Sequence, residues 1–539
     1  MSLRTLVLRA RVTPHAEAPF DRLLDPLTDD LLTRGPVASE RFAGHWTDTA
    51  ALTALAHRKR APLDPALARA LSSYHLRLGA SSASLANIER LARGEVVAAV
   101  AGQQPSPLGG PLFSLHKIAG AIGLAAAVTQ RTAIPCVPLF WMHAEDSDFT
   151  EIRGATVSDA ELAVHDFSLP ADAHSDGGIV GNISLVQVDT LTEQALAHWQ
   201  GLPGHAGVVA LWHSARSRAR DLGEAVSALM MGIFAEQGLV VVDPRLPEFR
   251  AAARPIIDRY LANAESLQAA AVAAGARLEQ MSQRRALSDA SLDSFVFEIV
   301  DGHRRKIAAR EARERGASAV LSPSVALRPA VQDGVFPTVA MACGPGEIAY
   351  LAQLREVFAG VGVEPALAAP RFGATWLPPQ AIELLDASGC DPWALVATTD
   401  AVLAAHAETL VPPDVAETLR GAQSAAMSGL QRVAESSRSL DASLPQMVES
   451  ARAKVDFQFA RLHEGLIAKV RSGLDRAHPG WRRLRYVLLP GDKLQERRLA
   501  SLEPIARRGP VVAAELVELA TEHALRTSAG QHEHHLLEA

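Results

Sequence analysis

The chain has 539 residues, of which 53 are Lys or Arg and 60 are Asp or Glu, so its formal net charge is −7 at pH 7. A chain of this length exceeds one ordinary hydrophobic core, and we expect a main domain with inserted or appended pieces. The acidic balance, and the lack of a basic stretch interleaved with aromatic residues, argue against nucleic acid as a partner.

The amino-terminal stretch MSLRTLVLRARV interrupts its apolar residues with three arginines, so it lacks the apolar core of a secretory signal. No run of 18 or more apolar residues follows, which argues against a membrane span. Cys136, Cys343 and Cys390 lie far apart without CxxC spacing, so we expect free buried thiols rather than disulfides or a zinc ribbon. The sequence therefore predicts a cytoplasmic protein.

Helical periodicity comes first along the chain. From Asp21 to Gly94, apolar residues recur three or four positions apart, and we assign residues 1–95 to a helical entry layer. The pattern then changes to short, continuous apolar runs of strand length that alternate with helical stretches. These predicted strands are VVAAVA from Val96, CVPLFWM from Cys136, GVVALWH from Gly207 and GLVVVDP from Gly238.

Such an alternation predicts an α/β core with a doubly wound parallel sheet, covered by helices on both faces. We assign residues 96–377 to this core with inserted segments.

Between Asp414 and Arg476, apolar or small residues recur at steps of three and four, the spacing of a coiled coil. Ser443 and Pro445 mark a helix start there, so residues 378–478 are predicted as two long helices, folded as a hairpin or packed on a partner chain. Residues 479–539 are expected to return to the core.

The loop after the first predicted strand, AGQQPSPLGGPLFSLHK, is the first candidate site. Loops at the carboxyl ends of parallel strands bind ligands because the next helix points free N–H groups there. Glycines would admit an anion, the glutamines offer neutral donors and acceptors, and a lysine would reach a phosphate or carboxylate. A turn merely shaped by its prolines and glycines is the alternative. The candidates are Gly102, Gln103, Gln104, Gly109, Gly110, His116 and Lys117.

Two further clusters follow predicted strands or precede helices. In WMHAEDSDFTEI, the carboxylates Glu145, Asp146 and Asp148 lie close enough to raise one another's proton affinity, as in general bases, unless they form a solvated acidic loop. GPGE precedes a helical run and is a second candidate anion cradle, or a plain glycine turn. The residues of this third cluster are Arg328, Gln332, Gly344, Gly346, Glu347 and Tyr350.

The carboxyl terminus carries His532, His534 and His535. Histidines on a terminal tail are usually solvated, and we predict no metal site there or elsewhere.

With these motifs in order along some 400 residues, the sequence resembles the bacillithiol biosynthesis cysteine-adding enzyme family. The resemblance implies a ligase that attaches cysteine to the amino group of glucosaminyl malate, the last step to bacillithiol. It also implies a Rossmann-like core similar to class I aminoacyl-tRNA synthetases, with inserted connecting segments and a helical coiled coil used for homodimers. The motifs that carry it are AGQQPSPLGGPLFSLHK, PLFWMHAEDSDFTEI, GLVVVDP, LSPSVALRPAVQD, GPGEIAYLAQL, Pro370–Arg371 and LQER from Leu494.

For such a reaction we hypothesise roles for these residues. The glycine and glutamine loop would surround a phosphate or the malyl carboxylate, with His116 or Lys117 countering negative charge, and the acidic cluster would hold the cysteine ammonium or deprotonate the attacking amine. Arg328 and Arg371 would pair with malate. ATP with magnesium enters by fold analogy only, since HIGH and KMSKS motifs are absent from the sequence. No bound organic cofactor is predicted.

Two positions depart from the family pattern: Ser106 stands where Gly is frequent, and Ser147 where His is usual. Two alternatives stay open, the first because the sequence does not exclude another acceptor, and the second because of the missing signatures and Ser147. One is an amino-acid ligase with another amine acceptor. The other is a catalytically inactive, synthetase-like dimer that senses a nucleotide or a thiol.

Overall fold

The computed structural model describes residues 5–8, 25–437, 439–441, 443–530 and 532–539. The chain forms two compact units, the first made of residues through Trp376 together with Pro490–Ala539, and the second of Leu377–Leu489. The start of the helix predicted from Asp21 and most of the amino-terminal stretch lie outside the described residues.

The strands of the described chain are short and mostly buried. They are β1 (Thr5–Leu8), β2 (Val97–Gln103), β3 (Cys136–Met142), β4 (Gly154–Ser158), β5 (Val164–Ser168), β6 (Val240–Val242), β7 (Val296–Val300), β8 (His303–Lys306), β9 (Leu321–Pro323), β10 (Thr338–Cys343), β11 (Leu367–Pro370), β12 (Ala374–Leu377) and β13 (His534–Glu538).

Helices account for most of the remaining structure. Those before residue 361 are α1 (Pro26–Thr33), α2 (Pro36–Arg41), α3 (Thr49–Lys59), α4 (Pro65–Leu78), α5 (Ser82–Ala92), α6 (Leu112–Thr132), α7 (Phe149–Ile152), α8 (Leu185–Ala197), α9 (His205–Arg216), α10 (Leu222–Ile233), α11 (Pro247–Ala262), α12 (Ala264–Gln280), α13 (Asp289–Leu292), α14 (Ala309–Arg315), α15 (Arg328–Val335), α16 (Pro345–Leu351) and α17 (Arg355–Gly360). Those that follow are α18 (Pro379–Ser388), α19 (Pro392–Ala397), α20 (Thr399–Thr409), α21 (Pro413–Ser437), α22 (Leu444–Ala477), α23 (Leu484–Leu488), α24 (Glu503–Arg508) and α25 (Val512–Ser528).

The predicted parallel sheet is present. Five strands pair in the order β11-β10-β2-β3-β6, all parallel. Ala98 and Val100 of β2 enter one hydrophobic core, whereas Val97 and Ala99 enter the other. Both faces of the sheet are thus covered, which confirms the doubly wound prediction.

The strand order creates a topological switch point beside β2. The chain moves from β2 to β3 and β6 on one side, and later places β10 and β11 on the other side. The loops that leave β2 and β10 therefore diverge at the carboxyl end of the sheet, which opens a crevice where α/β proteins bind ligands.

Helix α6 follows β2 and lies at the centre of the first unit. Its backbone passes so close to α25 that a Cβ on Gly123 would lie 2.5 Å from the carbonyl carbon of Ala520. Among the described helices, α6 alone is long and apolar enough to cross a membrane, yet 83% of its most apolar window is buried inside the protein. Burial of this kind is typical of a core helix.

One strand prediction was wrong. The segment GVVALWH from Gly207 forms part of helix α9 rather than a strand. Its buried residues are Val208, Trp212 and Ala215, spaced four and three apart, so the helical period decided the outcome over the local run of apolar residues.

Three smaller sheets accompany the central one. β4 and β5 form an antiparallel hairpin, β8-β7-β9 form an antiparallel sheet, and β13 lies between β1 and β12. The sheet that contains β13 corrects the expectation of a solvated histidine tail. His534 and His535 are only 5% and 2% exposed, and His532 is half-buried. Pairing of β13 in the sheet accounts for this burial.

The second unit contains the two predicted long helices, α21 and α22. Ser443 precedes the first residue of α22, as predicted. The helices lie side by side, and Gln423 on α21 donates a hydrogen bond to Asp456 on α22 over 2.7 Å. A coiled-coil supercoil and a dimer contact through these helices stay predictions.

The three cysteines are free. Cys343 is buried, while Cys136 and Cys390 are only half-buried. The expectation of buried thiols is therefore confirmed for Cys343 alone.

Candidate functional site at the switch point

A cavity of about 770 Å³ lies at the carboxyl end of the central sheet, at the switch point. Residues that follow β2, β3, β10 and β11 line it, together with residues from β8 and β9. The predicted site residues that reach this cavity are Gln103, Gln104, Lys117, Glu145, Asp146, Arg328, Gly344, Gly346, Glu347, Tyr350 and Arg371. The structure thus brings the three sequence clusters to one place.

Lys117 joins the loop after β2 to the helix after β10. Its Nζ donates to the carbonyl oxygen of Gly102 over 3.0 Å and to Oε1 of Gln103 over 3.2 Å. It also lies 3.0 Å from Oε2 of Glu347, which accepts the backbone N–H of Gly344 over 2.8 Å. The ammonium group of Lys117 therefore links the loop after β2 to the first turn of α16.

The glycines of the first loop serve the backbone rather than the cavity. Gly109 and Gly110 have φ of +79° and +82°, and a Cβ on Gly109 would lie 2.6 Å from Cε of Met230. They are turn residues packed against protein, so the structure does not support the predicted anion cradle there. A Cβ on Gly102 would lie 2.6 Å from Nε2 of His143, so this glycine is needed for close approach.

One wall of the cavity is acidic. Nε2 of Gln104 donates to Oδ2 of Asp146 over 3.0 Å and to Oε2 of Glu151 over 2.7 Å. A single amide group thereby holds two carboxylates side by side, facing the cavity. Such a pair attracts an ammonium group.

Glu145 extends this acidic wall into the protein. Its side chain is 5% exposed, and Arg250 donates to Oε1 from Nε over 2.9 Å and from Nη2 over 2.6 Å. Burial raises the pKa of Glu145, while Arg250 and a hydrogen bond from Ser322 oppose the rise.

Asp148 belongs to the same motif but not to the cavity. It is exposed, and its Oδ1 accepts the backbone N–H of Glu151 over 3.1 Å, which makes Asp148 the N-cap of α7. The placement corrects its assignment as a catalytic candidate, because its carboxylate is used to cap a helix.

Arginines line the cavity as well, and Nη1 of Arg304 lies 3.6 Å from Oδ1 of Asp146, so the cationic and acidic groups meet there. Arg328 donates from Nη2 to the hydroxyl of Tyr350 over 3.0 Å, and Arg304 donates from Nη2 to the carbonyl oxygen of Pro323 over 2.7 Å. Within the described part of the chain, the buried atoms Nη1 of Arg328 and Nε of Arg304 have no hydrogen-bond partner. Buried donors are usually paired, so these two unpaired donors need an explanation.

His143 lies beside these arginines. Its backbone N–H donates to the carbonyl oxygen of Gln103 over 2.9 Å, while its buried Nε2 has no hydrogen-bond partner among the described residues. Burial lowers the pKa of His143 well below 6.5, and the positive charges of Arg328, Lys117 and Arg304 lower it further. The ring is therefore neutral; the residue lines the cavity, while its Nε2 is buried beside Gly102.

Arg371 is held from behind the cavity wall. It forms a bidentate ion pair with Glu496, in which Nη1 lies 3.0 Å from Oε2. Nδ1 of His116 lies 3.0 Å from the same oxygen, and Nε2 of His116 accepts from Nε1 of Trp376 over 3.3 Å. His116 is fully buried and supports this ion pair, so the structure does not bring it to the cavity as a catalytic group.

Gln332 also lies elsewhere. It is 1% exposed and donates to Oδ1 of Asp333 over 3.1 Å. Oδ1 of Asp333 also accepts from Thr338 at the start of β10. Gln332 is therefore part of a buried network at the opposite end of that strand, which corrects its assignment to the binding site.

Several cavity residues were not predicted. Arg304 and Lys306 belong to a hairpin whose turn, Asp301 and Gly302, has φ of +50° and +76°. A DG turn between extended runs is a hairpin signal, and it would have placed Arg304 and Lys306 on one face of β8. Other cavity residues that sequence reasoning missed include Phe113, Trp141, His143, Glu151, Ser294, Phe297, Ser322, Ser324 and Arg497.

The fold and cavity define a Rossmann-like α/β protein whose switch point presents both carboxylates and arginines. Residues 17–319 and 312–372 match the family model described as the N-terminal Rossmann-like domain of bacillithiol biosynthesis BshC. A relative from Koribacter versatilis, named cysteine ligase BshC, is 30% identical over 474 residues, 84% of this chain and 87% of its own.

Relatives of the same name extend the similarity. The one from Solibacter usitatus is 29% identical, covering 78% of this chain and 82% of its own. The one from Salinibacter ruber is 26% identical over 97% of both chains. The chain belongs to the BshC family of bacillithiol biosynthesis.

Proposed function

We propose that the protein is a cysteine ligase that joins the carboxyl group of cysteine to the amino group of glucosaminyl malate, forming an amide bond and bacillithiol. The single observation that carries this proposal is that one cavity presents both carboxylates and arginines. Cysteine brings an ammonium group and malate brings two carboxylates, so the two small-molecule substrates together match both kinds of group. Family membership and the name of the relatives support the same activity.

The malyl group would bind at Arg304 and Arg328. Their partnerless Nε and Nη1 atoms are buried donors directed at no protein acceptor in the described chain. A carboxylate accepts such donors in short, charge-assisted hydrogen bonds. Arg304 also lies with its guanidinium carbon 4.0 Å from the ring centre of Phe297, which restricts its orientation.

The cysteine ammonium would bind at Asp146 and Glu151. Gln104 holds these carboxylates together and leaves them facing the cavity. Holding the amine of one substrate close to the carboxyl group of the other supplies roughly 7–11 kcal/mol of the barrier through positioning. The acidic and cationic groups of the cavity thus orient two substrates toward one another.

His143 is the group that would accept the proton from the attacking amine. A neutral imidazole is a base, and His143 lines the same cavity as the carboxylates and the arginines. The carboxylates of the acceptor would offset the positive charge of Arg304 and Arg328, so binding of the acceptor would raise the basicity of His143. Because Ser147 stands where the family usually has histidine, we assign the acceptance of this proton to His143.

ATP with magnesium would supply activation of the cysteine carboxyl group. The stretch from Gly344 to Gly346 would hold the phosphates, because both glycines line the cavity and a Cβ on Gly346 would meet nothing within 4 Å. Lys117 and Arg371 would balance phosphate charge there. We also propose a cytoplasmic location and a homodimer formed through α21 and α22.

Substituting Arg328→Gln tests the proposal. Loss of a charged hydrogen bond costs about 1.5–3 kcal/mol, so the KM for glucosaminyl malate should rise roughly 10- to 150-fold while the KM for cysteine stays within about twofold. Arg277→Gln is the control, since Arg277 is exposed and paired with Glu40. An equal rise in KM for both substrates, or no rise in KM, would show that the malyl group does not bind at Arg328.

A further inference from the structure

A second polar cluster lies on the β4–β5 hairpin and the end of α8. It consists of Asp159, in the turn between the two strands, His165 on β5, and His198, which follows the last residue of α8. One ligand atom from each residue lies within 4.8 Å of the others. All three side chains are half-buried, and none of them lines the cavity at the switch point.

The carboxylate of Asp159 is held in place before any ligand binds. Its Oδ1 accepts the backbone N–H groups of Glu161 over 3.0 Å and of Ala163 over 2.8 Å. This leaves Oδ2 directed at Nε2 of His165, 2.9 Å away. Outer contacts that orient a carboxylate in this way are typical of metal ligands.

His198 provides an independent observation. Its ring lies against that of His165, with 3.8 Å between centroids and 28° between planes, and the edge of Phe167 flanks it at 5.6 Å. Across the described residues, no protein group forms a hydrogen bond with either ring nitrogen of His198. The rings of His165 and Phe167 therefore position the imidazole of His198, and among the described residues no protein partner occupies the nitrogen that would bind a metal ion.

We propose that Asp159, His165 and His198 form a binding site for a divalent transition-metal ion, zinc in the first place. Two imidazole nitrogens and one carboxylate oxygen are donors that zinc binds at about 2.0–2.2 Å, with water in the fourth position. Calcium and magnesium prefer all-oxygen sites, so this donor set disfavours them. Because the two imidazole rings are stacked at 3.8 Å, one of them would have to rotate for both nitrogen lone pairs to reach the ion together with Oδ2.

The ion would fasten the hairpin to α8. Asp159 and His165 lie on the hairpin, whereas His198 lies at the end of the helix, so coordination would link two elements that are separate in sequence. The hairpin starts two residues after α7, which follows the acidic motif of the cavity. The metal would therefore stabilise structure beside the site without entering its chemistry, and the inference stands apart from the proposed function.

The test uses the full chain, freed of any affinity tag and treated with a chelator. Zinc is titrated in competition with a chromophoric chelator, and cobalt is added separately to observe the visible bands of tetrahedral coordination. We expect one equivalent to bind to the unmodified protein. His198→Ala and His165→Ala should each weaken binding by at least the roughly 10- to 100-fold that loss of an outer contact costs.

The control is His213→Ala, which removes an exposed histidine of α9 and should bind zinc like the unmodified protein. Circular dichroism checks that each variant is folded. Zinc should also slow amide hydrogen exchange in β4 and β5 of the unmodified protein, but not of His198→Ala. Unchanged affinity in His198→Ala, or no binding by the unmodified protein at micromolar zinc, would overturn the proposal.

Discussion

Arg371 and Glu496 are 125 residues apart in the chain and form a bidentate, buried ion pair at the rim of the cavity. Burial alone would raise the pKa of Glu496, but Arg371 and the hydrogen bond from His116 hold it well below 4.5. The carboxyl-terminal segment thereby fixes a cation of the cavity wall, although Glu496 itself lies behind that wall.

Replacing Glu496 with Gln should weaken both the fold and substrate binding. Loss of one partner of a buried pair costs about 3–5 kcal/mol, and Arg371 would no longer be held in place. We expect a lower Tm together with a raised KM. Glu224→Gln is the matched control, because Glu224 is a buried partner of Arg77. A raised KM in both variants would show that stability alone is responsible.

Asp146 and Asp148 should differ sharply although they are two residues apart. Asp146→Ala removes a carboxylate of the acidic wall and should lower the rate of product formation at least tenfold, with a higher KM for cysteine. Asp148→Ala removes only the N-cap of α7 and should cost about 0.5–2 kcal/mol of stability with activity retained. Steady-state kinetics and thermal unfolding of both variants separate these effects, and full activity in Asp146→Ala would contradict the assignment.

The pH dependence of kcat/KM should report the protonation of the proposed base, His143. The pKa of His143 lies well below 6.5 because of burial and of Arg328, Lys117 and Arg304, so the rate should fall only at pH well below 6.5, when the ring becomes protonated. Arg328→Gln removes one positive charge, which raises this pKa and should move the acid limb to higher pH. His143→Gln should lower the rate about 10²- to 10⁴-fold and abolish the limb.

Arg277→Gln serves again as the control, with an unshifted profile. An acid limb that stays in place in Arg328→Gln would show that a different group is titrating.

Buried histidines should make the fold sensitive to acid. Burial lowers the pKa of His75 and of His534 to about 4, from 6.5 in the unfolded chain. Above pH 6.5 both states are neutral and the histidines have no effect. As the pH falls from 6.5 to 4, the unfolded chain binds protons first, so stability decreases by about 2 kcal/mol per histidine at pH 5.

Urea unfolding at about pH 7.5 and pH 5 measures this loss. His75→Gln should reduce stability at the higher pH, since the ring bonds the carbonyl oxygen of Leu71 and the N–H of Val241, but it should also reduce the difference between the two pH values. Equal free energies of unfolding at both pH values would contradict the prediction.

The sequence predicted those parts of the fold that are decided locally. The buried strand CVPLFWM was placed at its observed bounds because a continuous apolar run before a polar cluster has few alternatives in an α/β protein. The segment from Gly207 failed because a short apolar run fits a strand and a helix alike, and only its buried positions, Val208 and Trp212, show the helical period.

Tertiary contacts decided the rest of the site. The loop around Gly109 has the composition of an anion-binding loop, but the side chain of Met230 occupies the space beside Gly109 that a ligand would need. The DG turn at Asp301 and Gly302 predicts the hairpin that carries Arg304, but the approach of β8 to the cavity depends on tertiary contacts. Neither the pairing of His116 with Glu496 nor the capping role of Asp148 can be read from residue type, because both depend on the partner that the fold supplies.

The most direct measurement is to incubate the purified protein with glucosaminyl malate and cysteine, with and without ATP and magnesium, and to determine the mass of the product. We predict the cysteinyl amide of glucosaminyl malate, formed only when ATP and magnesium are present. Absence of product under every condition, with both substrates shown to bind, would contradict the assignment as a ligase and favour a binding protein that senses these ligands.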